Sequence, residues 1–173
     1  MRIKLALLLL LPVLGYLNLG ILNKEPLKAN GETILLELAP RDPRSLLQGD
    51  YMALNYRLHN ELGRKRELRG HRGQIVIKKD DNGVAKLDRI YNGEELAENE
   101  RLLRFNFSGR RPEVATHSFF FQEGKAKAFE AARYGIFKLD SDGNLMLVDL
   151  ADENREPISP KAYNKEQPTT NAQ

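Results

Sequence analysis

The chain has 173 residues, of which 41% are hydrophobic and 8% aromatic, enough for one modest core and too few for two full-sized domains. It contains no cysteine, which excludes disulfides, thiolate nucleophiles and cysteine metal sites. The formal charge of +3 is only mildly basic for this length and does not by itself indicate a nucleic-acid partner.

The N-terminus carries the clearest targeting signal. Arg2 and Lys4 precede an almost uncharged stretch, Leu5 to Leu22, which would span about 27 Å as an α-helix against a hydrocarbon core of about 30 Å. The two basic residues predict a cytoplasmic N-terminus and export of the remainder. Since no small-residue cleavage site follows directly, we favour residues 1–22 as a transmembrane signal anchor over a cleaved signal peptide.

A polar linker over 23–32 leads into a single domain, which we predict over 33–156. The run DYMALNYRLH alternates and predicts a half-buried strand. Met52, Leu54, Tyr56 and Leu58 share one face of it, and Tyr51, Ala53, Asn55 and Arg57 share the other. The residues from 157 to 173 are rich in proline, asparagine and threonine and poor in apolar side chains, which predicts a disordered tail.

The most basic stretch, GRKRELRGHRG over 63–73, is predicted to be a solvated loop. An alternative function for it is docking on acidic phospholipid headgroups, which attract each nearby basic side chain by about 1 kcal/mol. The predicted export of the domain disfavours nucleic acid as a partner.

Two hairpins are predicted further along the chain. Asn82-Gly83 lies between alternating runs and favours a type I′ turn, and Asp142-Gly143 or Gly143-Asn144 favours a second turn near the end of the domain. Leu103, Phe105 and Phe107 are predicted to share one face of a strand. The three phenylalanines over 119–121 suggest a strand buried on both faces or a barrel corner.

The run KAKAFEAAR predicts the one short helix of the domain, with Ala128, Phe129 and Ala132 on a shared stripe. Together these runs predict a mainly β (α+β) domain of about seven to nine short strands. Their number and spacing favour an antiparallel barrel or sandwich.

Two separated motifs resemble a known family. Gly49 to Tyr56 read GDYMALNY, which reproduces the signature of the GDYXXLXY protein family, and the preceding Asp42, Pro43 and Arg44 resemble its usual lead-in. The run FFFQEGKAKAFEAARYG over 119–135 is also similar to that family. The resemblance implies a membrane-anchored bacterial protein without an assigned activity, often encoded beside multi-spanning membrane proteins.

The motif residues form the candidate binding or structural site. These are Asp42, Pro43, Arg44, Gly49, Asp50, Tyr51, Leu54, Tyr56, Glu123, Gly124, Glu130, Tyr134 and Gly135. We favour a structural role for Asp50, accepting backbone N–H bonds within the turn, over a general base or a metal-binding pair with Asp42. Arg44 is a candidate ion-pair partner for Asp50 or Glu123.

For the two tyrosines we predict one buried side chain, with its hydroxyl hydrogen-bonded to a neighbour, and one available to a partner. Glu123 is predicted to lie at a helix N-terminus, where the helix dipole favours an acid.

The function predicted is an exported accessory module on the periplasmic side of the bacterial inner membrane, acting with a multi-spanning membrane protein. The alternative is a hydrolase or small-ligand binder with a pocket at the Gly-Asp-Tyr corner. Signal-peptidase-like chemistry is disfavoured because Arg41 occupies the place expected for the serine, and the three histidines are scattered. We assign no catalytic residue, metal or cofactor, and the sequence leaves open whether the protein is an enzyme and which oligomeric state it adopts.

Overall fold

The computed structural model describes residues 30–39, 47–48, 51–109, 111–122 and 125–159. The predicted anchor over 1–22, most of the linker and most of the predicted tail lie outside these residues, so those three predictions stay predictions. Within the described part of the chain, no helix combines the length and the apolar character needed to cross a membrane.

Ten strands form three antiparallel sheets in the described residues. The first sheet has the order β1 (Glu32–Glu37), β9 (Tyr134–Leu139), β10 (Leu145–Ala151). The second has the order β2 (Leu47–Gln48), β3 (Tyr51–Ala53), β8 (Ser118–Phe120), and the third has β5 (Ala85–Ile90), β4 (Arg72–Lys79), β6 (Glu100–Ser108), β7 (Arg111–Glu113). The predicted mainly β, antiparallel class is confirmed.

The sheets curl into a half-barrel around one core. Leu35 of β1 pairs with Val84 beside β5, and Leu38 pairs with Tyr56, so single bridges join neighbouring sheets. The predicted inward face of β6 is confirmed, since Leu103, Phe105 and Phe107 are buried. Met52, Leu54 and Tyr56 are also buried as predicted, but β3 ends at Ala53, so only Met52 of these lies in a strand. The core contains Ile34, Leu36, Met52, Leu54, Tyr56, Ile75, Ile77, Leu103, Phe105, Phe107, Phe137, Leu139 and Leu150.

Both predicted hairpins are present, and their turns share one construction. The Asp80 carboxylate accepts hydrogen bonds from the backbone N–H of Asn82 and Val84, each at 3.0 Å. The predicted type I′ turn is wrong, because only Gly83 has a positive φ (78°) and Asn82 does not. An aspartate that accepts two backbone bonds holds the turn with a single left-handed residue.

The second hairpin turn also joins two sheets. The backbone N–H of Arg104 on β6 donates to the carbonyl of Gly143 at 2.9 Å. A Cβ at Gly143 would lie 3.1 Å from the Arg104 nitrogen, and its φ of 84° is unfavourable for other residues. Gly143 therefore allows the close approach of the turn to β6.

The largest difference from the sequence prediction is a helix, α1 (Arg57–Arg64), where a strand end and a loop were predicted. Leu58 and Leu62, four residues apart, are buried on the core, which is the spacing of a helical stripe. A 3₁₀ turn over Arg66–Leu68 follows and buries Leu68. The basic stretch is therefore partly helical.

The predicted alanine-rich helix is present as a single turn, α2 (Ala126–Phe129). Its predicted stripe of Ala128, Phe129 and Ala132 is buried, as expected. The Phe129 ring packs between Phe119 and Phe121, with centroids at 5.0 and 5.4 Å. This short helix is held mainly by that aromatic contact, because four residues are too few for an isolated helix.

Charged side chains form a network where β6 begins. Arg89 makes a bidentate pair with Glu100, with nitrogen to oxygen distances of 2.8 and 2.9 Å, and also contacts Glu94 at 2.8 Å. Glu32 pairs with Lys79 and with Arg101. We call this region the ion-paired end; it comprises Glu32, Lys78, Lys79, Asp88, Arg89, Glu94, Glu100 and Arg101.

Glu100 is the buried member of that network, with 6% of its surface exposed. Hydrogen bonds from Arg89, and a further one from the backbone N–H of Ala97, hold the pKa of the Glu100 carboxyl down at about 2. Its charge is therefore compensated on both oxygens.

Candidate functional site

Only part of the predicted site lies within the described residues. Its acidic lead-in and both glycine turns lie outside the described residues, so their predicted roles stay predictions; these are Asp42, Pro43, Arg44, Gly49, Asp50, Glu123 and Gly124. The described members are Tyr51, Leu54, Tyr56, Glu130, Tyr134 and Gly135. Glu130 is exposed just after α2, and Leu54 is buried in the core.

Tyr51 lies on β3 opposite Phe120 of β8. The two rings are in contact, with centroids 5.9 Å apart, and 75% of the Phe120 side chain is exposed. The interpretation of the phenylalanine run as buried on both faces is therefore wrong at its central residue. Phe119 and Phe121 point to Phe129, and strand alternation turns Phe120 outward.

Tyr56 ends the GDYMALNY segment inside the core, with no exposed surface. Its ring packs edge-on against Phe137 at 5.5 Å and against His59 at 5.1 Å. The prediction of one buried tyrosine is confirmed, but the predicted hydrogen bond is not found, since its hydroxyl has no partner among the described residues. Burial raises the pKa of the Tyr56 hydroxyl above its ordinary value of 10.0.

Gly135 brings the two sequence motifs together. A Cβ at this position would lie 2.7 Å from a ring carbon of Phe137 and 3.2 Å from the Tyr56 ring. The Tyr-Gly pair at the start of β9 therefore contacts the last tyrosine of the first motif, and only glycine leaves room for that ring. Tyr134 itself is half-buried at the edge of β9, opposite Glu37 and Ala151.

His59, which packs against Tyr56, also contacts a second histidine, a pairing that sequence reasoning missed. His59 of α1 and His117, just before β8, have ring centroids 4.9 Å apart. His59 is 4% exposed, and neither of its ring nitrogens has a hydrogen-bond partner among the described residues. Burial lowers the pKa of the His59 imidazole to about 4, and the charge of His117 acts in the same direction.

Both histidines line a surface cleft between α1, β7 and the residues that follow β3. Its volume is about 1000 Å³, which is at the upper end of the range for small-molecule sites. We call it the histidine cleft. It is lined by Ala53, Leu54, Asn55, His59, Asn60, Gly63, Arg64, Ser108, Arg111, Pro112, Glu113 and His117.

The cleft combines donors with one acid. Arg64 and Arg111 are exposed and make no ion pair within the described chain. Glu113 is the single carboxylate among the described residues that line the cleft. No group of three or more histidine, aspartate or glutamate side chains in the described residues is placed to hold a metal ion. The arrangement is therefore suited to hydrogen bonding with a polar or anionic molecule.

Comparison with known proteins bears on the family. The family model described as GDYXXLXY protein matches residues 13–150, which include both motifs and every described site residue. No curated protein and no solved structure matches the chain.

Proposed function

This chain belongs to the GDYXXLXY protein family, and we propose that it is a non-catalytic accessory module that binds and stabilises a multi-spanning membrane protein. Residues 1–22 anchor it in the bacterial inner membrane, and the β domain lies on the periplasmic side. Support for the anchor comes from the sequence, where Arg2 and Lys4 precede the apolar stretch from Leu5 to Leu22.

The exposure of Phe120 is the observation that supports contact with a partner. Its exposed fraction of 75% is far above that of the other exposed large apolar residues in the described chain, Leu96 at 38% and Val148 at 41%. Covering a phenylalanine side chain stabilises a complex by about 1.5–3 kcal/mol. Aromatic side chains are also enriched in the residues that dominate binding energy.

The surroundings of Phe120 make it a firm point of contact. Its neighbours Phe119 and Phe121 are packed on Phe129, and Tyr51 lies across the strand pair. Its backbone is fixed by the β3–β8 pairing, so the backbone loses little conformational freedom on binding. We define Tyr51 and Phe120 as the aromatic contact surface.

The test is photocrosslinking in the native membrane, with a photoreactive phenylalanine analogue at residue 120 of the full-length chain. We expect one stoichiometric multi-spanning membrane protein to be recovered. The same analogue at Val148, an exposed apolar position on β10, is the matched control and should recover none of it.

A second pair of variants measures the energetic weight of the contact. Phe120→Ser should abolish co-purification of the partner at unchanged melting temperature, whereas Val148→Ser should retain it. Equal recovery from positions 120 and 148, or full co-purification with Phe120→Ser, would overturn the proposal.

A further inference from the structure

The position of His59 is typical of a ligand-binding residue. Unpartnered polar groups in a protein interior are destabilising, and both nitrogens of this imidazole lack a partner in the described chain. A neutral imidazole has one donor and one acceptor. The His59 ring lines the cleft, and both nitrogens are buried at its wall, so a molecule that enters the cleft pairs with them when the neighbouring side chains move aside. His117 extends the same set to the exposed side of the cleft.

Two cations of the cleft, and further basic side chains that follow α1, are available. Six basic side chains form no ion pair with a carboxylate of the described residues. They lie in the last turn of α1, from the end of α1 through the first residue of β4, and in β7. These side chains are Arg64, Lys65, Arg66, Arg69, Arg72 and Arg111. Two of them, Arg64 and Arg111, line the cleft itself.

We propose that the histidine cleft binds a small anion through its phosphate group, with Arg64 and Arg111 supplying charge and His59 and His117 supplying hydrogen bonds. Guanidinium groups match the geometry of phosphate oxygens and form charge-assisted, often bidentate bonds with them. Asn55 and Asn60 add amide donors at the same opening. The site is separate from the aromatic contact surface, and the proposal is independent of the proposed membrane partner.

The charges favour an anion over a metal cation. A cation would meet two guanidinium groups and one carboxylate, and three clustered ligands of the usual type are absent from the described residues. Glu113 remains as an acceptor, suited to a hydroxyl group on the bound molecule. The volume of about 1000 Å³ is far larger than a bare phosphate needs, which favours a phosphate ester of a small organic molecule.

Inorganic phosphate is the first probe, added to the full-length chain in an uncharged detergent. Titration is followed by the imidazole NMR signals of His59 and His117 and by calorimetry, against sodium chloride of equal ionic strength. We expect both imidazoles to shift with phosphate in a saturable manner and not with chloride.

Variants separate the site from general positive charge. Arg64→Gln and Arg111→Gln should each weaken phosphate binding by about tenfold or more, because a hydrogen bond to a charged group is lost. Arg66→Gln is the matched control, since it removes an exposed, unpaired cation that does not line the cleft, and should change affinity less than about twofold. Glu113→Gln should tighten binding, because it removes the one negative charge of the lining.

His59→Phe keeps an aromatic ring beside Tyr56 and removes both nitrogens. It should weaken binding by about tenfold while the protein remains folded. Glycerol 3-phosphate and vesicles containing phosphatidic acid then distinguish a soluble ester from a lipid headgroup; preference for either supports the phosphate chemistry.

Three results would overturn the proposal. The first is unshifted His59 and His117 signals at tens of millimolar phosphate in the folded protein. The second is an equal loss of affinity in Arg66→Gln and Arg111→Gln, which would indicate diffuse electrostatic attraction. The third is tight binding of zinc by the two histidines in the absence of any phosphate effect.

Discussion

The two ends of the four-stranded sheet differ in whether their charged side chains are paired. β4 runs about 25 Å between them, from Arg72 near the histidine cleft to Lys79 at the ion-paired end. At the ion-paired end, Glu32, Arg89 and Glu100 each have two or more charged partners. At the cleft end, the arginines are unpaired and a buried histidine and a buried tyrosine lack hydrogen-bond partners within the described chain.

This difference distinguishes residues that stabilise the fold from residues that are available to bind another molecule. Glu100 is stabilised as an anion, and its pKa is lowered to about 2 by Arg89. His59 is buried without compensation, and its pKa is lowered to about 4 because the charged imidazole is poorly solvated. The first shift reports satisfied charge and the second reports an unsatisfied group, which is typical of functional sites.

The largest expected effect is a pH dependence that arises at the cleft end. His59 has a folded pKa of about 4 against an ordinary 6.5, so the unfolded chain binds the extra proton first. Its contribution to stability is present above pH 6.5 and is lost as pH falls towards 4, amounting to about 3 kcal/mol. The charge of His117 also opposes protonation of the buried ring. The other charged side chains that line the cleft are Arg64, Arg111 and Glu113.

Urea unfolding between pH 7 and pH 4 measures this loss. In His59→Phe the slope over that window should flatten, whereas His71→Phe, at an exposed histidine, should leave it unchanged. A wild-type stability independent of pH from 6.5 to 4 would show that His59 has a partner in solution.

The second effect tests packing behind the cleft. Gly135→Ala should destabilise the domain by about 1–3 kcal/mol, because the added Cβ must displace the rings of Phe137 and Tyr56. Gly63→Ala is the control in α1, where the nearest atom would be 3.9 Å away and alanine should stabilise the helix by up to about 1 kcal/mol. Thermal unfolding of both variants measures the two changes in stability. Changes of the same sign would contradict this prediction.

The third effect is confined to the ion-paired end. Arg89→Gln should lower Tm by about 5 °C, because Glu100 keeps its buried position but loses its bidentate partner. The Glu100 contribution is present above pH 4.5 and is lost as pH falls towards 2, so the variant should lose less between those values. Lys86→Gln, which breaks an exposed pair with Asp80, should change Tm little.

The sequence predicted those parts of the fold that local signals determine. Alternation along β6 and the Asn82-Gly83 pair belong to single segments, so strand faces and hairpins could be predicted without knowledge of distant contacts. α1 was missed because Leu58 continues the alternation of the preceding strand while also fitting a helical stripe with Leu62.

The candidate site depends on contacts between distant segments. His59 and His117 belong to different segments, and neither is flanked by a sequence pattern that predicts its contact with the other. The contact of Gly135 with Tyr56 likewise joins two motifs whose order, but not whose contact, could be read from the sequence. Nor does a run of three phenylalanines show which ring faces outward, because that depends on the register with β3.

The smallest expected effect concerns the Tyr56 hydroxyl. Its ring fills the core between Phe137 and His59, but its oxygen has no partner among the described residues. Tyr56→Phe keeps the ring and removes only that oxygen, so the free energy of unfolding should change by less than about 0.5 kcal/mol or rise slightly. Urea unfolding at pH 7 measures it, with Tyr56→Leu as the variant that removes the ring contacts and should be clearly destabilised. A loss above about 1 kcal/mol in Tyr56→Phe would mean that the hydroxyl is hydrogen-bonded in solution, and the contrast between the two ends would then rest on His59 and the arginines of the cleft alone.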